Sequence, residues 1–169
     1  MLFIRRLIAA FALALSVSSA DGSEQLTPEQ FRDIILEDQT VIAASGTSCQ
    51  KSKEDAHTLS CLMKLKSDDL GIDAIIEADE KTRNIKTATF LGAGAMMVGE
   101  QKGMQIGAMM LVIIGRTLQA FNPKIVRDQR GKFVLALVKG MKREENSRSI
   151  GGVTYSLNNG IFMTFSAER

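Results

Sequence analysis

Residues 92–121 read GAGAMMVGEQKGMQIGAMMLVIIGRTLQAF, and the architecture turns on this stretch. No charged residue stands between Lys102 and Arg116. A helix that is apolar on every side is one buried on every side, in a core or in lipid. The run is short for a bilayer, which takes about 20 apolar residues. The reading is a central helix over residues 99–121, wrapped by the other elements. Asn122-Pro123 ends it, because Pro cannot continue a helix and Asn tolerates the cap.

Ala95, Gly99, Gly103 and Gly107 recur every four residues in this stretch. On a helix they form a ridge almost free of side chains, where another backbone can approach closely. That backbone belongs to this fold or to a second copy in a homodimer. Each Gly weakens a helix by about 1 kcal/mol relative to Ala, so residues 92–103 are expected to include an irregularity. Met96, Met97, Met104, Met109 and Met110 add a soft apolar surface. Methionine fills uneven cores and adapts to varied apolar partners. The stretch is therefore core, or the wall of a pocket for an apolar or amphiphilic ligand such as a lipid.

Beyond this helix, residues 132–143 are amphipathic, with Phe133, Val134, Leu137, Val138 and Met141 as the apolar stripe. Basic residues crowd the same region. Arg127, Arg130, Lys139, Lys142 and Arg143 are the candidate binding residues for an anionic partner; the plainer reading is a solvated face. Next, residues 152–157 and 161–166 flank Asn158-Asn159-Gly160, and Asn-Gly between alternating apolar runs signals a hairpin. Its inward side chains are read as Val153, Tyr155, Leu157, Ile161, Met163 and Phe165.

On the amino-terminal side, Thr27-Pro28-Glu29-Gln30 is a helix start with a capping box and Pro at the first helical position. Phe31, Ile34, Ile35, Val41 and Ile42 follow at helical intervals, giving a helix over residues 28–44. Residues 59–66, 72–79 and 84–91 alternate as three strands of an antiparallel meander. The element order is α-β-β-β-α-α-β-β. The expected fold is α+β, a five-stranded antiparallel sheet with the helices packed on one face.

Residues 1–20 form a signal peptide: Arg5-Arg6, an apolar run over residues 7–17, then Ser18-Ser19-Ala20. Residues 21–169 are then one domain, exported to a periplasm or beyond, with no stable membrane anchor. Removing the signal takes two arginines from 21 basic residues, leaving 19 against 19 acids. A neutral chain gives no global support for nucleic-acid binding. The charge is nonetheless polarised: residues 21–80 hold 14 acids and 5 bases, residues 81–169 hold 14 bases and 5 acids. The two halves neutralise each other within the fold, or they leave a bipolar surface.

Cys49 and Cys61 are the only cysteines, and two cysteines in an exported chain most simply pair. Such a bridge contributes about 3 kcal/mol in the chain-entropy model. With His57, the sole histidine, they do not make a zinc motif, and no metal or cofactor is expected. Gly92-x-Gly94 lacks the rest of a dinucleotide fingerprint. Ser48-Cys49-Gln50-Lys51 matches S-x-x-K without its companion motifs. His57 sits in a polar stretch, as a solvated residue does. The expected function is a non-enzymatic binding or interaction protein with a protein partner or as a homodimer. A carrier of an apolar or amphiphilic small ligand is the alternative, and a small hydrolase ranks behind it.

Overall fold

Thr27 opens helix α1 (Pro28–Leu36) as the capping box requires: its hydroxyl accepts from the Gln30 amide, and the Gln30 side chain accepts from the Thr27 amide. A computed structural model describes residues 25–37, 43–44, 47–67, 70–140 and 145–169, without the side chains of 43, 44, 95, 96 and 145. The expected signal peptide and residues 38–42 lie outside the described residues. The helix stops at Leu36, and Ala43–Ala44 forms strand β1, so the expected helix to Ala44 is too long. Glu37 takes the C-cap position, its amide donating to the Asp33 carbonyl.

Strands β2 (Ser48–Lys51), β3 (Thr58–Ser67), β4 (Leu70–Asp79) and β5 (Ile85–Ala93) follow. After the helices come β6 (Glu145–Ile150), β7 (Val153–Asn159) and β8 (Phe162–Glu168). All pairings are antiparallel, and the order is β1-β3-β4-β5-β8-β7-β6, with β2 also pairing β3. The five-stranded expectation is thus corrected to a seven-stranded path with β2 beside it; the α+β class holds. The three strands missed were β1, β2 and β6. They are short or polar edge segments: Ser48–Lys51 and Glu145–Ile150 carry no apolar alternation.

The one-turn α2 (Ala95–Val98) precedes α3 (Glu100–Phe121), which meets β4, β5, β8 and both longer helices. Helix α4 (Arg127–Lys139) turns back beside it. Met63, Ile72, Ile76, Phe90, Phe165 and Tyr155 face the helices and are fully buried. The opposite face carries Thr87, Thr89, Ser156 and Ser166, among others. Ser147 and Ser149 share hydrogen bonds there with Ser156 and Thr154.

Rings link the layers into a chain. Phe121 on α3 meets Phe31 on α1 edge-on at 5.9 Å, and Phe31 reaches Phe90 at 6.1 Å. Phe90 stacks with Phe165, Phe165 with Tyr155, and Tyr155 meets Phe133 on α4 at 5.4 Å. Such pairs contribute about 0.5–1.5 kcal/mol each beyond their burial.

Helix α3 is central but is not wrapped on all sides. Ile106, Met109, Met110, Ile113, Ile114 and Leu118 are buried, while Met104 is 64% and Leu111 43% exposed. A single helical layer on one sheet leaves the outward stripe of its middle helix in solvent. By length and hydropathy alone α3 is long and apolar enough to cross a membrane, and half of its most apolar window is buried in the fold. Ile161 also departs from its expected inward position: it lies in the β7–β8 turn and is exposed.

Candidate functional site

The C-terminal end of α3 is built from residues distant in sequence. Asn122 caps the helix, its amide donating to the Leu118 carbonyl at 3.0 Å and its own carbonyl accepting from Ile125. The Asn122 side chain is buried and donates to the Tyr155 hydroxyl at 2.7 Å. A buried phenol needs such a partner. Burial pushes the Tyr155 phenol up to about 12, against the lowering effects of Asn122 and of the nearby Arg169 charge. Gly151 and Gly152 form the β6–β7 turn with φ of 59° and 75°. A Cβ at Gly151 would run into the Asn122 side chain, so this turn needs glycine for space as well as conformation.

Arg169 closes the same corner. Its backbone amide donates to the Lys86 carbonyl at 3.0 Å. Its guanidinium donates to the Phe121 carbonyl at 3.1 Å and lies 5.1 Å from the centre of the Phe121 ring. Between this corner and α1 runs a cleft of about 760 Å³. Leu26 and Ile34 line it from the α1 side, with Phe121, Pro123 and Ile125 opposite and Lys124 and Arg169 among the polar groups.

The basic residues expected to bind lie elsewhere. Arg127 and Lys139 are exposed on α4 and Arg130 is half-buried; Lys142 and Arg143 lie outside the described residues. Lys132, Leu135 and Lys139 form one outward line of α4, with Leu135 exposed between two lysines. No ion pair engages Arg127, Arg130, Lys132 or Lys139 among the described residues, whereas ion pairs elsewhere join the two halves of the chain. These are Arg83–Glu29 at 2.5 Å, Arg116–Glu37 at 3.0 Å and Lys86–Asp79 at 3.7 Å. Among the described residues, charge is thus paired around α1 and the β4–β5 turn, while no ion pair engages the basic side chains of α4.

The small-residue ridge is divided. Ala95 belongs to α2, Gly99 breaks the path with φ 85°, Gly103 is buried, and Gly107 has the Met163 methyl 3.8 Å from its missing Cβ position. Cys49 and Cys61 are bonded, directly opposite one another in the β2–β3 register. A disulfide suits an oxidising, exported environment. His57 is exposed in the turn before β3. The neighbouring Asp55 carboxylate accepts from the Thr58 hydroxyl and the His57 amide, which hold it below the usual carboxylate range. Among the described residues no three His, Cys, Asp or Glu side chains gather as a metal site.

In sequence Asn122 reads only as a helix stop, and Arg169 carries no signal. The available signal was Tyr155, whose inward position implied a buried hydroxyl and hence a polar partner. Comparison with protein-family models, curated proteins and solved structures finds no match to this chain.

Proposed function

We propose that the protein is an exported binding module, periplasmic or secreted, that acts by surface recognition of an acidic protein partner without catalysing a reaction. The carrying observation is the basic side of α4, which no ion pair engages among the described residues, with Arg127, Lys132 and Lys139 exposed and Leu135 offering an apolar contact between lysines. Complementary charge speeds encounter and selects partners, and a central apolar contact supplies affinity. The disulfide supports export. The alternative of a carrier with the Met-rich helix as pocket wall has less support, because Met109, Met110, Ile113 and Ile114 are packed against the core. The described cleft lies at the other end of that helix.

The test compares the mature chain with a variant carrying Arg127→Ala, Arg130→Ala, Lys139→Ala and Lys142→Ala. The expected result is a partner from the cell envelope that the unmodified chain holds at low salt, that the variant loses, and that high salt releases. A partner retained equally by the variant would sink this reading.

A further inference from the structure

We infer that the cleft between α1 and the α3–α4 turn is a binding site for a small amphiphile with a carboxylate head and an apolar tail. Its volume of about 760 Å³ is that of a small-molecule site. Leu26, Ile34, Phe121, Pro123 and Ile125 give it apolar walls. Its cations, Lys124 and Arg169, set the head-group chemistry. Arg169 is already positioned by the Phe121 carbonyl and ring, so little side-chain freedom is lost on binding. The bond to Phe121 uses one of its N–H donors and leaves others. No carboxylate pairs with Arg169 among the described residues, and the guanidinium fork matches a carboxylate.

The remaining polar lining favours the same ligand. Asp33, the acidic side chain in the lining, pairs with Arg32 at 2.7 Å, which offsets its charge beside the cations Lys124 and Arg169. The side-chain oxygens of Gln30 and Gln119 accept from the Thr27 amide and from Arg116. Their amide NH₂ groups therefore remain as donors. A cleft rich in donors and cations, with apolar walls, fits an anion carrying a hydrocarbon body better than a neutral lipid or a bare anion. The site is independent of the basic side of α4.

The test is titration calorimetry of the mature chain with dodecanoate below its micellar concentration, with dodecanol and acetate as controls. Dodecanoate is expected to bind one to one, dodecanol at least about tenfold more weakly, and acetate not measurably. Arg169→Ala and Lys124→Glu should each weaken dodecanoate binding about tenfold. Ile34→Trp should fill the tail end and abolish it. Lys124 is exposed, so its variant remains informative even where Ile34→Trp fails to fold. The alanine variant of α4 described above should bind dodecanoate unchanged, separating this site from the partner surface. No binding by the unmodified chain, equal binding of dodecanol, or full affinity in Lys124→Glu and Arg169→Ala would overturn the inference.

Discussion

The two ends of α3 are held by different means. At Phe121 the helix is fixed by side chains: an edge-on ring from Phe31, the Asn122–Tyr155 hydrogen bond and the Arg169 guanidinium. Before Gly99 the segment leading into it is fixed by backbone. Gly94 donates its amide to the Ile161 carbonyl at 3.0 Å, and a Cβ at Gly94 would collide with that same carbonyl. Around this second end Met97, Met104, Ile161 and Phe162 are exposed. Length accounts for the contrast. At about 1.5 Å per residue, α1 and α4 span about 14 and 20 Å, against about 33 Å for α3. The flanking helices cannot cover it all. Equally apolar sequence is core at one end and surface at the other, according to what lies alongside.

Phe31→Ala should produce the largest loss. It removes the ring that joins Phe90 to Phe121, with an expected cost of about 3–5 kcal/mol in urea denaturation. Gly94→Ala tests the backbone-held end. Its new Cβ meets main-chain oxygen, which cannot swing aside, so about 1–3 kcal/mol is expected. Were Gly94→Ala neutral, that end would be held by something other than close approach. Asn122→Ala leaves the Tyr155 hydroxyl without its buried partner and should cost about 1–3 kcal/mol.

The same tyrosine gives a pH test. Its phenol is raised from 10.0 to about 12 in the folded protein, so between these values the unfolded chain loses a proton that the folded chain keeps. Stability must therefore fall as pH rises from about 10 to about 12. Tyr155→Phe should flatten that part of the melting-temperature profile, and an unchanged slope would place the drop on other groups.

The smallest effects fall on α3 between its ends and on its outward stripe. Thr117 is fully buried, and its hydroxyl has no hydrogen-bond partner among the described residues. Thr117→Val should be neutral or stabilise by up to about 1 kcal/mol, because the penalty of an unpaired polar group is removed. Met104→Gln, on the exposed stripe, should stay within about 0.5 kcal/mol. A large loss there would mean that a partner covers the stripe during the measurement.

Local signals in the sequence carried much of the fold. The expected helix over residues 99–121 is found at Glu100–Phe121, because Gly99 and Asn122-Pro123 punctuate it on both sides. The alternation over residues 59–66 and 72–79 gives β3 and β4. Where the local signal is weak, the structure departs from it. Strand β6 forms because β7 offers it hydrogen bonds, and nothing in Glu145–Ile150 announces that. Val41 and Ile42 fall at helical spacing after Phe31, which carried the expected helix too far. The basic residues of α4 could be named from sequence, but that no ion pair among the described residues engages Arg127, Arg130, Lys132 or Lys139 could not. The cleft was illegible for a different reason: Leu26, Phe121, Gly151 and Arg169 meet only after the sheet has formed.

The ring chain has a consequence for observing the molecule. The protein has no tryptophan and one tyrosine, Tyr155, which sits between Phe165 and Phe133 and is bonded to Asn122. Its phenol emission, and nearly all of its absorbance at the tyrosine band, therefore originate beside the cleft. A ligand entering there, or a break in the Asn122 bond, changes the environment of the chain's one tyrosine chromophore. The protein thus carries a native optical reporter at the corner where α3 ends, and reading it needs no label and no added residue.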